Sequence, residues 1–325
     1  MAANRPFRFS AQAFQAESLA QWSDTARQAE DLGYSTLFTT DHYFGPGAIA
    51  EGSGHRPVDV APIAASMAAA CVTSTLRVGC RVFCVDYHEP VVLAKELATL
   101  DMLSGGRLEV GLGAGWVAAE YEGIGIAMDR PGVRIKRLEE VAGLLKAHWS
   151  GTDLDVNGTY VHASGFAGRP LPVQQPHPPI LIGGGSPKVL GIAGKIADIV
   201  SLNFNNAAGK LGTSSVATSG AESTREKLGW VRDGAGERYE DIELEIGAYF
   251  ISVREDFHDA AEAMAQRFGV STPELLDSPH ALIGSVSAVC ERLRYLREEF
   301  GINYINVAQR YLAEFAPVVA ALAGT

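Results

Sequence analysis

The residues with chemical potential in this sequence fall into four short stretches: Asp41-His42, Cys84 to His88, Gly113-Ala114-Gly115-Trp116 and Gly183 to Ser186. A histidine beside an aspartate can accept or donate a proton near neutral pH; an Asp-His turn that only closes a strand would account for the pair too. Glycines followed by Trp116 would let a ligand approach the backbone and meet an aromatic face, and a tight turn explains the same residues. Gly183-Gly184-Gly185-Ser186-Pro187 opens a helix after a strand, so its amides could cradle a phosphate, or form a glycine turn with no ligand. Neither glycine run is a nucleotide fingerprint. Trp116 fills the place of a third dinucleotide glycine, and the later run lacks the P-loop pattern. Metal binding by Asp41, His42 and His88 would need ligands converging from two strand ends, so no metal is expected. Glu89, just before Pro90, suits a helix start. His55, His148, His162, His177, His258 and His280 show no partners in sequence and are assigned nothing.

The elements that position these stretches alternate strand and helix. Strands are expected at 7–11, 35–39, 76–83, 107–112, 180–182, 198–202, 242–253 and 304–308. Helices are expected at 18–32, from Asp59 to about 72, at 91–103, 130–149, after Pro187, at about 221–233, 257–268 and 286–300, and at the C-terminus. Pro90 suits the first turn of its helix. Eight strands with interleaved helices predict an α/β fold, a (β/α)8 TIM barrel, whose site gathers at the C-terminal ends of the strands. The four stretches all follow strands two to five. The chain reads as one domain over 1–325. It carries an insertion at roughly 150–178, where Asn157-Gly158 signals a hairpin, and a polar, mobile loop at roughly 203–220.

Composition narrows the partners. A net charge of −11 disfavours a nucleic-acid backbone. The most apolar window, 58–72, is interrupted by Asp59 and Pro62 and too short to span a membrane. Four cysteines (Cys71, Cys80, Cys84, Cys290) without a CxxC pair fit neither a zinc site nor a disulfide framework, and a cytoplasmic setting follows.

Three ordered motifs carry a family resemblance: AEDLGYSTLFTTDHY at Ala29–Tyr43, LRVGCRVFCVDYHEPVVLAKELATLDMLSGGRLEVGLGAGW at Leu76–Trp116, and PPILIGGGSPKVLGIAGKIAD at Pro178–Asp198. From about Arg5 to Ala308 the chain resembles the luciferase-like monooxygenase superfamily, especially its coenzyme F420-dependent oxidoreductases. The resemblance implies an isoalloxazine-type ring at the barrel mouth, a non-proline cis peptide after strand three at Arg81-Val82, and a homodimer. It implies that Asp41 and His42 lie beside the ring, that Cys84 touches the cofactor, that Ala114 and Gly115 line its side chain, and that Gly184 and Gly185 hold its phosphate. Sugar-phosphate-oxidising members carry a glutamate where this chain has Trp116 and an asparagine where it has Ala119, which counts against glucose-6-phosphate.

The sequence thus reads as an F420-dependent oxidoreductase moving a hydride between the deazaflavin C5 and a small organic substrate. His42 and Trp116 are its catalytic candidates; Asp41, Arg81, Val82, Cys84, Ala114, Gly115, Gly184 and Gly185 are its cofactor contacts. The alternatives are an FMN-dependent monooxygenase using reduced flavin and O2, and a non-catalytic F420-binding protein.

Overall fold

The computed structural model describes residues 5–205, 213–216 and 218–325. Eight strands, β1 (Arg8–Gln12), β2 (Thr36–Thr39), β3 (Arg77–Cys84), β4 (Leu108–Gly113), β5 (Ile180–Gly184), β6 (Ile199–Leu202), β7 (Glu243–Ala248) and β8 (Ile302–Ala308), close into a barrel in the order β1-β8-β7-β6-β5-β4-β3-β2. Every pairing is parallel; Ser10 of β1 lies opposite Thr36 on one side and Asn306 on the other. Helices cover the outside and bury one face of each strand in a continuous apolar core that includes Phe9, Leu37, Val78, Val110 and Ile182. Prolines at 62, 90, 131 and 187 stand in the first turns of four helices, where the missing N–H has no helical partner to lose. Glu89 occupies the N-cap before Pro90, but its side chain makes no capping bond.

The barrel interior is layered. At its N-terminal end, buried Glu109 of β4 meets Arg8, the Tyr304 hydroxyl (3.1 Å) and Arg77 (2.7 Å). Burial pushes this carboxyl up, but Arg8 and Arg77 outweigh that and hold it below its usual range. Higher up, Arg81 of β3 reaches across to Glu245 of β7 at 3.0 and 3.1 Å and to Ser201 at 2.9 Å. Beside these, Val82 packs with Phe38, Leu181, Ile199 and Tyr304.

Three local expectations need amending. The run 242–253 is two strands: β7 ends at Ala248, and Phe250–Val253 leaves the barrel to pair with Ala281–Gly284, a strand not foreseen. The amides of Tyr249 and Phe250 both donate to the His280 carbonyl, which draws the chain outward; in the sequence the β-forming residues run on past this point, and the partner that makes the break lies some thirty residues away. Within the glycine-rich loop 45–54, Ala48–Ser53 is a short helix closed by Gly54 in the left-handed region. The polar stretch 203–220, expected to be mobile, lies partly outside the described residues, and Thr213–Val216 within it is helical. Outside the barrel, Asp153–Asn157 pairs antiparallel with His162–Ala167 across the turn that holds Asn157-Gly158.

Candidate active site

The C-terminal ends of β2 to β4 bring most of the expected residues together. The β3–β4 register shifts between Cys80 and Phe83, and the Arg81-Val82 peptide is cis. The bulge turns Val82 over two glycines of β4: a methyl group on Gly113 would lie 2.5 Å from Val82 Cγ2, and one on Gly111 3.0 Å from Cγ1. What approaches these glycines is therefore the neighbouring strand, and their small size leaves room for the ledge that Val82 makes.

Asp41, at the end of β2, is buried; its Oδ2 accepts from the Cys84 amide and from His88 Nε2, both at 2.8 Å. Its Oδ1 is buried without a well-formed hydrogen bond. The Tyr43 phenol is pushed above its usual range by burial first and by Asp41 second. Cys84 Sγ lies 3.2 Å from the Tyr121 hydroxyl, which donates to Asp86 at 2.9 Å. Burial pushes the Cys84 thiol up to about 12, so it is a packed thiol rather than a nucleophile.

Gly115 has φ +71°, and a β-carbon there would overlap the Tyr121 hydroxyl, so both backbone and space require glycine. Arg134, from the helix Pro131–Trp149, donates to the carbonyls of Ala114 and Gly115 and pins this loop. Its neighbour Arg137 pairs with Asp86 at 2.6 Å and with Asp129.

His42 is the centre of the arrangement. Its Nδ1 lies 2.7 Å from Glu120 Oε2, across 78 residues of sequence, on the short helix Ala118–Gly123. Glu120 is 1% exposed and also accepts from the Tyr43 amide (2.6 Å) and the Tyr87 hydroxyl (3.2 Å). A carboxylate only accepts, so the imidazole nitrogen facing it carries the hydrogen and Nε2 is left as the acceptor of the neutral ring. The His42 ring packs on His55 (4.5 Å between centroids), Phe44 (5.2 Å) and the edge of Trp116 (6.0 Å), with Phe14 behind His55 (5.3 Å). Burial, then the neighbouring His42, pulls His55 down to about 4, so that ring is neutral. Glu120 and His55 are the residues sequence reasoning missed. Glu120 sits in an unremarkable AAEYEG segment, and nothing in the primary structure ties it to His42.

Gly184 and Gly185 stand at the end of β5, three strands round the barrel from His42. A β-carbon on Gly185 would come 2.7 Å from the Asn203 carbonyl oxygen, so this glycine is needed for packing against the exit of β6. The helix Pro187–Ile196 that follows has no side-chain cap from Ser186, which leaves its first amides available to a phosphate. Among the described residues, no three His, Cys, Asp or Glu side chains are placed to hold a metal.

One cavity lies apart from this site and one borders it. One of about 400 Å³ opens at the N-terminal end of the barrel beside Arg8, Glu243 and Asn303. One of about 290 Å³ lies behind Glu120, lined by Tyr43, Phe44, Ile49 and Ile124. Strand-end geometry, not cavity size, marks the site.

The family model described as luciferase-like monooxygenase matches residues 3–270. The chain belongs to the luciferase-like monooxygenase family. Members of this family include oxidoreductases of both F420-dependent and flavin-dependent kinds. An FMNH2-dependent dimethylsulfone monooxygenase of Pseudomonas putida is 26% identical over 188 residues, 58% of this chain and 48% of that one. An F420-dependent glucose-6-phosphate dehydrogenase of Gordonia bronchialis is 29% identical over 241 residues, 73% of this chain and 64% of that one. The chain spans about half the length of the first curated relatives it matches. Among solved structures, the coenzyme F420-dependent tetrahydromethanopterin reductase of Methanopyrus kandleri superposes with a TM-score of 0.75 at 18% identity, over 98% of this chain and 99% of that one. A long-chain alkane monooxygenase gives the same TM-score and identity over 98% and 91%; at this identity both establish the fold. As a family member the chain is suited to a flavin-type cofactor. The residues present fit one: the Val82 ledge offers an apolar face and the uncapped amides after Ser186 an anion site.

Proposed function

We propose that this chain is an F420-dependent oxidoreductase that moves a hydride between the deazaflavin C5 and a small organic substrate. The observation that carries the reading is the His42–Glu120 pair at the barrel mouth. Bound F420 supplies a two-electron hydride couple that does not readily activate oxygen. A hydride leaving a carbon that bears a hydroxyl or amine strands a proton on the heteroatom, and His42 Nε2 is the group suited to take it. Val82, Asp41, Cys84, Ala114 and Gly115 would line the cofactor and Gly184 and Gly185 its phosphate, while Arg81 holds the bulge from below. Trp116 and Phe44 exclude water around His42. The same reading takes the protein as a cytoplasmic homodimer acting on a small molecule, without nucleic-acid or membrane partners; among the described residues no helix is long and apolar enough to cross a membrane.

A second reading, an FMN-dependent monooxygenase, is favoured by the dimethylsulfone monooxygenase relative. Fluorescence titration with F420 and FMN side by side separates them. The expected result is F420 binding below about 100 μM, roughly −5.5 kcal/mol, with weaker FMN binding. Binding of FMN alone, with substrate-dependent oxygen uptake, would favour the monooxygenase, and binding of neither would defeat both. Loss of about 10²- to 10⁴-fold in turnover on His42→Ala is expected. Tight F420 binding without turnover across a broad substrate panel would instead leave a carrier.

A further inference from the structure

Consecutive residues at the end of β2 make two crossed carboxylate–imidazole pairs, Asp41 with His88 and His42 with Glu120. The first ties β2 to the turn after β3 and holds the Cys84 amide. The second has a different construction. Glu120 is nearly sealed from solvent, and its two oxygens take the His42 imidazole, the Tyr43 amide and the Tyr87 hydroxyl. One carboxylate thus grips the side chain of residue 42 and the backbone of residue 43, which fixes the ring relative to the strand end. Phe44, His55 and Trp116 pack around the same ring, so turning it over would disturb all three contacts.

We propose that Glu120 is the positioning residue of this site: it fixes the proton of neutral His42 on Nδ1 and so presents a bare Nε2 at the barrel mouth. This rests on the reading of His42 as the proton-handling group. In the step it serves, a bond forms between Nε2 and the substrate's proton while the heteroatom–hydrogen bond breaks, its electron pair staying on the heteroatom. Nδ1 keeps its hydrogen, and the resulting imidazolium faces the Glu120 carboxylate. The titratable groups around His42 are Glu120 and, through it, Tyr87 from the turn after β3, Asp41 and Tyr43 on its own segment, and His55 from the loop beyond. His55 is the neighbour that could bring a competing positive charge, and burial keeps it neutral.

The test is long-range ¹H–¹⁵N correlation spectroscopy of histidine-labelled protein without cofactor, with His42 identified by its loss in His42→Gln. The neutral ring of wild-type His42 is expected to carry its hydrogen on Nδ1. Glu120→Gln, whose amide oxygen can still accept, is expected to keep that form, and Glu120→Ala to move at least half of the population to Nε2–H. A wild-type ring protonated on Nε2 overturns the proposal whatever the variants do, and so does an unchanged tautomer in folded Glu120→Ala. Should Glu120→Ala fail to fold, the wild-type spectrum still decides between the two tautomers. Because no cofactor is present, failure of F420 to bind would defeat the proposed function and leave this result standing.

Discussion

Val82 occupies the space that a side chain on Gly113 would need: a methyl group there would lie 2.5 Å from Val82 Cγ2. The glycines of β4 and the bulge of β3 are thus one feature, two strands shaped to each other. Gly113→Ala is expected to cost about 2 kcal/mol through overpacking, read from urea unfolding. Val82→Ala in the same chain should recover part of this, with a coupling of about 1 kcal/mol in the double-mutant cycle. Additive single effects would disprove the contact.

Arg8 at the barrel floor pairs with Glu243 and with buried Glu109, and stacks its guanidinium 3.7 Å from the Tyr304 ring centre. Arg8→Met leaves Glu109 with Arg77 as its cationic partner, beside the Tyr304 and Thr36 hydroxyls, and is expected to cost about 3 kcal/mol, because a buried carboxylate loses a partner. Adding Glu109→Gln should return some of that loss. Chemical denaturation of the three variants checks it, and a cost within 0.5 kcal/mol of zero would rule the floor out as a stabilising feature.

Glu30 receives the amides of Ser74, Thr75 and Leu76 and the Thr75 hydroxyl. Burial raises its pKa, but these donors outweigh burial and bring it down to about 2 from 4.5. A carboxyl lowered on folding contributes stability that is fully present above pH 4.5 and is lost as the pH falls towards 2. Glu30→Gln should therefore destabilise by about 1 kcal/mol at pH 7, with the gap to wild type closing at low pH. A gap of constant size across that window would contradict the assignment.

His55 gives the opposite kind of group the same sign. Its pKa falls from 6.5 to about 4, so the unfolded chain binds a proton that the folded ring refuses. Stability present above pH 6.5 is lost as the pH drops through 4. With allowance for solvent at the partly exposed ring, the effect is roughly 2 kcal/mol. His55→Gln should flatten the acid limb of a plot of unfolding free energy against pH; an unaltered limb would refute the burial argument.

The fold was largely legible in the sequence because a parallel barrel writes itself locally. Most barrel strands are short runs rich in apolar residues, several helices begin at a proline or a serine, and several turns carry glycine. The ordered motifs around His42, Trp116 and Gly184 also put the chemistry at strand ends. The same locality hid the rest. The run 242–253 shows no break because the carbonyl that draws the chain out of the barrel belongs to His280, far along the sequence. Gly113 looked like a ligand contact because a single strand cannot show that Val82 of its neighbour lies against it.

By itself the sequence determined the barrel, the strand ends that carry the site and the residue types gathered there, since these follow from periodicity and turn chemistry within a few residues of each position. Only the tertiary structure decided which of those residues touch. Closing the barrel sets β2, β3 and β4 side by side, and that closure brings Glu120 to His42, His55 against the same ring and Arg134 onto the Gly115 loop. These contacts depend on side chains meeting across dozens of residues, where no local pattern reaches.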